Sequence, residues 1–508
     1  MKHRRILSGL AALLLLANLP VSALAAEWDI GNGDITVNAG SGGQTVTQGS
    51  QVDVPDSAPV ITGSSTENTV TINAEKDQTA SVTLSGANID GSTKGNAAVS
   101  TTGEGNVSIE LDGDNTLKSG KGHAGLEKKN GGKLTIADED KNGKLTAEGG
   151  KYGAGIGGGD QGAGSGITIT GGEIKATGGQ YGAGIGGGKG AGSDITISGG
   201  EVNATGGTSG AGIGGGYNGN GSDITITDGE VNATGGKYGA GIGGGEYGIG
   251  KDIIITGGEV NATGGRFSAG IGGGSRGTGS DITISGGEVN ASGGVNGAGI
   301  GGGLRSKGKD ITVSGDTKLK VQGGDEDHYD GAGAGIGDGG SNAYGTKILG
   351  AEVEPDTSGL TTGRIEYYAP GADMDKDAPS QTIVGTYIPP QPAREAAAPA
   401  QPAAPLYRVT DGDGKDVSYE TTWRDGVLTV TVEADRAVLT GRLSGIASLQ
   451  AQGIERIVFI TKGATSEFLT ADLLAAAPAT ERYALSHDGE AVTFTAGEAD
   501  VSGILVKA

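Results

Sequence analysis

Apolar residues in the middle of the chain fall on alternate positions, in runs too short to make a helix face. Between 195 and 213, Ile195 and Ile197 flank Thr196, Val202 and Ala204 flank Asn203, and Ala211 and Ile213 flank Gly212. Period-two alternation puts the apolar side chains on one side of an extended strand and Thr, Asn and Gly on the other. Glycine pairs separate the runs, so each run predicts a short strand of about five residues ended by a turn. Three such strands close one triangular coil.

The coil recurs. The isoleucine of "GAGIGGG" stands at Ile156, Ile185, Ile213, Ile242, Ile271 and Ile300, in steps of 28 or 29 residues, and again at Ile336 after the insertion "DEDHYDGAG". Between the copies "DITISGG" and "EVNATGG" return nearly unchanged. Leu126 and Val99 hold the same place further upstream, and 133–150 is the unit with an enlarged turn. Self-similarity at a fixed period predicts stacked coils whose strands pair with their own copies. The fold class expected is all-β: a right-handed, single-stranded parallel β-helix of 28–29-residue coils, three strands and three parallel sheets, followed by a small α+β domain. The handedness follows the bias of parallel crossovers. The spacing Gly153-x-Gly155-x-x-Gly158 imitates a dinucleotide loop, but such a loop occurs once and opens a helix. Here it repeats with no helical pattern after it, so it is a strand and corner with Ala154 and Ile156 turned inward.

The change of pattern along the chain sets the domains. Residues 1–26 have the basic start, apolar centre and small-residue site of a signal peptide. Residues 27–130 are expected to form irregular coils and a cap, 131–365 the regular coils, and 366–405 a connector with the Pro/Ala-rich "IPPQPAREAAAPAQPAAP". In 406–508, "VLTVTVEA", "ERIVFITKG" and "AVTFTAG" predict strands and "TADLLAAAP" a short helix, with no legible chemistry.

Composition narrows the partners. The chain has 107 glycines, no cysteine and a net charge of −23. Disulfides and lipid attachment at cysteine are excluded, and long-range repulsion disfavours nucleic acid and anionic membranes. The signal peptide implies a secreted, extracellular or cell-surface protein with no membrane span after its removal.

On a coil stack, any outward residue becomes a column. Tyr152, Tyr181, Tyr238 and Phe267 stand two residues before the inward alanine, in a column broken at Ser209 and Asn296, with Lys151, Lys237 and Arg266 beside them. Rings and long donors next to a bare glycine strip suit sugar binding; the bland alternative is that they cover a corner. Asp194, Asp223, Asp252, Asp281 and Asp310 precede the first strand, and Glu173, Glu201, Glu230, Glu259 and Glu288 begin the second. Stacked like charges call for counterions or a divalent cation. Asp138, Asp140 and Asn142 in "DEDKNG" have calcium-loop spacing, though no EF-hand helices or closing Glu follow. Asp411, Asp413 and Asp416 are read as a hairpin turn. A Thr column (Thr196, Thr225, Thr283, Thr312) and an Asn column (Asn203, Asn232, Asn261, Asn290) complete the surface. Ca2+ is the one cofactor considered. No singular catalytic constellation stands out, because the carboxylates repeat and His123, His328 and His487 are scattered, so the chain is read as a non-enzyme.

The repeated "DITISGGEVNATGG" followed by "GAGIGGG" resembles a family of secreted bacterial carbohydrate-binding parallel β-helix domains, Gly-rich repeat proteins of anaerobic Gram-positive bacteria. The resemblance covers 130–345 clearly, 27–130 weakly and 406–508 not at all. It implies a right-handed parallel β-helix, binding of plant cell-wall polysaccharide such as pectin or cellulose, and bound calcium. Where the family's third strand is often Asp-rich, this chain has "GAGI", so calcium ligands at that strand are not carried over. The function expected is carbohydrate binding or adhesion to a host or cell-surface glycan. The alternatives are a structural stalk or adhesin for a protein partner, and a polysaccharide lyase or hydrolase.

Overall fold

The computed structural model describes residues 26–343, 346–385, 407–412, 414–424, 426–476, 482–497 and 499–506. Residues 1–25 of the expected signal peptide, the Pro/Ala-rich run 388–405 and Asp413 lie outside them. Alternation and glycine punctuation produce the expected parallel coils. One coil runs through strands Gly164–Ile169, Glu173–Thr177 and Ile185–Gly186. Each strand pairs in parallel with its copy one coil on: Ile167 with Ile195, Glu173 with Glu201, Ile185 with Ile213. Like therefore stacks on like at about 4.8 Å.

Two details differ from the expectation. The third strand is two residues long, because Gly186 turns the chain at φ +126, and a Cβ there would lie 2.2 Å from the Gly214 carbonyl oxygen. The first and second strands also share one 21-stranded sheet in place of two sheets. In two coils, Gly192–Thr205 and Gly221–Thr234, they run on without a break, and the register shifts around Ser198 where the chain bends. The third strands form the other solenoid sheet.

The coils reach further at both ends than the repeat signal did. Val99 and Leu126 hold the isoleucine column as expected, and Val70 carries it one coil further in register. The cap of 27–130 is the antiparallel meander Ile35–Gly40, Gly43–Gln48 and Gln51–Pro55. At the other end Arg364–Tyr368 stacks in parallel on Lys318–Gln322, and Gln381–Val384, within the expected connector, closes it antiparallel. Gln51–Pro55 ends the sheet of third strands, and among the described residues Gln381–Val384 pairs only with Arg364–Tyr368, so each sheet finishes on a short antiparallel strand. The interior is a continuous stack of Ile, Val, Leu and Ala with almost no exposure.

Residues 407–506 hold their own core. A five-stranded antiparallel sheet (Tyr407–Thr410, Arg436–Arg442, Arg482–Asp488, Ala491–Ala496, Ala499–Asp500) accompanies a four-stranded sheet (Glu420–Arg424, Val427–Thr431, Arg456–Ile460, Thr465–Leu469). Helices Leu443–Ala451 and Thr470–Ala476 complete the domain. The second was expected from "TADLLAAAP"; the first was not. Phe459, Phe468, Tyr483 and Phe494 fill the centre. Among the described residues no helix is long and apolar enough to cross a membrane.

Candidate binding surface

The corner between the second and third strands carries the rings. Tyr152 and Tyr181 stack with centroids 5.3 Å apart and planes 12° apart, and Tyr238 and Phe267 stack at 5.9 Å and 11°. Rings one coil apart thus turn their faces toward each other, leaving edges and hydroxyls for solvent. Two tyrosines missed in the sequence extend the row. Tyr217 meets Tyr181 edge-on at 5.6 Å, and Tyr247 meets Tyr217 at 6.1 Å. Tyr217 comes from the turn after the triple glycine, in the column Asp160, Lys189, Tyr217, Glu246, Ser275 and Leu304, and Tyr247 from the position beside that column. Such a variable column gives no repeat to detect. Its only clue was its place after each "IGGG". The Tyr217 amide donates to the Tyr181 carbonyl at 2.8 Å, joining the two turns.

Cations line this corner. Lys151 Nζ lies 5.4 Å from the Tyr152 centroid and 5.8 Å from that of Tyr181, and Lys121 lies 5.7 Å from Tyr152. Lys189, Lys237, Arg266 and Arg276 sit over Tyr217, Tyr238, Phe267 and Tyr247 at 5.0–5.9 Å. Cation–ring contacts of this kind contribute about 0.5–1 kcal/mol each at exposed sites. Where the ring column is interrupted at Ser209, its hydroxyl donates to Glu246 at 2.7 Å. An acidic chain therefore carries one aromatic and basic strip.

The aspartates sit elsewhere, at a bulge before the first strand. Asp194, Asp223, Asp252, Asp281 and Asp310 all have φ between +51 and +56, a left-handed conformation that Asp tolerates better than most residues. The pairing steps over them: Ser193 faces Ser222 and Ile195 faces Ile224. Cations already attend this column. Lys251 meets Asp252 at 3.1 Å and Lys309 meets Asp310 at 2.9 Å. Arg442, from the C-terminal domain, reaches Asp223 at 3.1 Å and Asp252 at 3.8 Å. A cleft of about 1030 Å³ lies between this face and that domain, lined by the aspartates, Thr196, Thr225, Arg408 and Arg442. Lys128 lies near the first aspartate, over Gly166. It is buried and donates to the Asn130 carbonyl at 2.8 Å. Burial pulls its pKa down to about 8, and the Asp194 charge opposes that pull.

The glutamate column is closed by opposite charge at each end. In register the order runs Lys144, Glu173, Glu201, Glu230, Glu259, Glu288, Lys318. Lys144 meets Glu173 at 2.7 Å and Lys318 meets Glu288 at 3.6 Å. Beside it the asparagines form an amide chain: Asn232 donates to Asn203, Asn261 to Asn232 and Asn290 to Asn261, at 3.2, 2.9 and 2.7 Å.

For a metal, the structure brings Glu110 from the preceding coil to Asp138 and Asp140, their oxygens within 4.8 Å of one another. Asn142, the third residue expected there, points its amide donor at Asp140 Oδ2 at 3.0 Å. The Asp138 carboxylate accepts the backbone amides of Asn142 and Gly143 at 3.2 and 3.1 Å, so the turn satisfies itself in part. Among the described residues no other group of three acidic, His or Cys side chains approaches so closely.

The scattered histidines stay apart. His123 Nδ1 lies 2.8 Å from the buried Glu127, which also meets Lys129 at 2.8 Å. His487 lies in the C-terminal core with Nε2 2.8 Å from Ser466 Oγ and Nδ1 3.0 Å from Thr461 Oγ1, and burial holds its pKa below the usual value. All three groups are buried, so the cluster serves packing.

A β-helix repeat family profile matches residues 141–160, 167–189, 195–217, 224–246, 253–275 and 282–304. No curated protein and no solved structure matches the chain. The matched segments coincide with the coils that present the strip, and they agree with the parallel pairing of identical positions. The chain is a parallel β-helix repeat protein.

Proposed function

We propose that the protein is an exported, non-catalytic binding protein that holds polysaccharide along the aromatic and basic corner of its coils. The observation that carries this reading is the co-location of Tyr152, Tyr181, Tyr217, Tyr238, Tyr247 and Phe267 with Lys121, Lys151, Lys189, Lys237, Arg266 and Arg276 on a chain of net charge −23. Because stacked rings hide their faces, the contact falls to ammonium and guanidinium groups, phenol hydroxyls and ring edges. That donor set favours a polymer bearing carboxylates, such as a uronate chain of plant cell-wall type, over a neutral glucan. The expected signal peptide supports an extracellular setting, and the repetition of the Asp and Glu columns supports binding over catalysis.

This reading needs no calcium: in the Asp column, Asp252, Asp310 and Asp223 meet Lys251, Lys309 and Arg442. Retention on polygalacturonate is the test. Wild type is retained with and without a chelator, and Tyr181→Ala/Tyr238→Ala reduces retention by about tenfold. Unchanged retention of that variant would dismiss the strip, and loss on chelation would point to a metal-bridged mode.

A further inference from the structure

The strip has a built end. The next position after Phe267 in the ring column is Asn296, and one coil later comes the insertion 325–331 in place of a ring. The Asn296 amide donates to the Asp325 carbonyl at 2.8 Å, so the loop starts directly on the ladder. The buried Asn296 side chain donates to the carbonyls of Asp330 and Gly331 at 3.1 and 2.8 Å. Arg305 grips Asp330 through both carboxylate oxygens, at 2.9 and 3.0 Å, and Asp330 is itself buried. Lys347 holds Glu326 at 2.8 Å. Asp327 Oδ1 accepts the amides of Tyr329 and Asp330 at 2.8 and 2.7 Å, folding the tip into a tight turn. The loop is therefore a fixed projection.

What it projects differs from the strip. Asp325, Glu326 and Asp327 put three carboxylates after a row of lysines and arginines, with Arg266 close enough to Asp327 to act on its charge. Tyr329 is 68% exposed, and its neighbour ring, His328, stands edge-to-face to it at 4.8 Å. In contrast to the stacked rings of the corner, it has no parallel partner among the described residues.

Resting on the polysaccharide reading, we propose that the 325–331 loop ends the binding strip, so that the protein takes the end of an acidic glycan chain with its terminal sugar against Tyr329. The carboxylates repel continuation of a polyanion past Asn296, and the unstacked ring offers apolar surface to a single sugar ring. A chain bound end-on meets one protein regardless of its length. A chain bound along its middle meets more proteins as it grows.

Titration calorimetry of the full chain with polygalacturonate fractions of increasing length, and with trigalacturonate, separates the two. The expected result is a constant number of proteins per chain across lengths, with Tyr329→Ala weakening trigalacturonate binding about tenfold. In Asp325→Asn/Glu326→Gln, which leaves the Arg305 anchor intact, the number bound rises with chain length. Stoichiometry already proportional to length in wild type, or indifference to Tyr329→Ala, overturns the end-stop while leaving the strip standing. No binding by wild type to any fraction overturns the strip and the end-stop together.

Discussion

The solenoid and the C-terminal domain solve the same burial problem differently, one with repeated aliphatic columns and the other with a single irregular core that includes large rings. In the solenoid the interior is built from aliphatic side chains and alanine, each touching its own copy above and below. The C-terminal core adds large rings to its aliphatic side chains, with Phe468 and Phe494 at 4.8 Å and Tyr483 edge-on to Phe494 at 6.4 Å. The first arrangement spreads stability over many equal contacts, so a single coil adds a small, additive share. The second concentrates it in a few side chains. Function follows the same division. A column can offer a polymer the same group at each step, whereas the ring core offers one irregular surface.

The largest expected effect strikes the concentrated core. Phe494→Ala costs about 3–5 kcal/mol, the usual range for a buried ring. In calorimetry it lowers only the transition belonging to 407–506, because the two cores share no residue. A shift of both transitions together would show that the cores melt as one. The solenoid counterpart is a backbone contact. A Cβ on Gly236 would lie 1.5 Å from the Gly207 carbonyl oxygen, so Gly236→Ala forces the coils apart. The expected cost is about 1–3 kcal/mol, taken from the solenoid transition alone. A Gly236→Ala protein that melts like wild type would mean the corners do not stack this tightly.

The difference in stacking also decides what was legible. Residues such as Ile185, Glu201 and Asn203 could be placed from the sequence because each has an identical copy at the same phase, and pairing like with like follows from the period alone. Tyr217 and Tyr247 could not, since no copy of either stands one coil away. Tyr247 even takes a left-handed φ of +64 that a bulky ring seldom adopts. The interrupted ladder at Ser209 was visible, but its closure by Glu246 depends on two turns meeting in space. Leu126 and Val99 were placed from their phase, whereas Val70, a coil further up in a less regular stretch, was not. In 406–508 strand alternation was legible, yet Leu443–Ala451 was missed, a helix without a strong apolar stripe or side-chain N-cap.

A gentler probe of the same contrast uses acidity. The unfolded-state pKa of His487 is about 6.5, and burial depresses the folded value. The neutral imidazole thus supports the fold fully above about pH 6.5, and that support is lost as the pH falls through the folded pKa. The C-terminal transition drops on mild acidification while the solenoid transition, which holds no such buried neutral imidazole among the described residues, moves less. His487→Gln should flatten the difference. An unchanged slope would place the titrating group elsewhere.

The central claim is that the basic, ring-bearing corner captures polymer through charge. The most direct measurement is the Kd for polygalacturonate of Lys151→Gln/Lys237→Gln/Arg266→Gln, compared with wild type at matched salt and with the melting temperature recorded for both. The account predicts at least a tenfold weaker Kd with the solenoid transition within about 2 °C of wild type, since three exposed side chains contribute little to the fold. An unaltered Kd in that variant would contradict it.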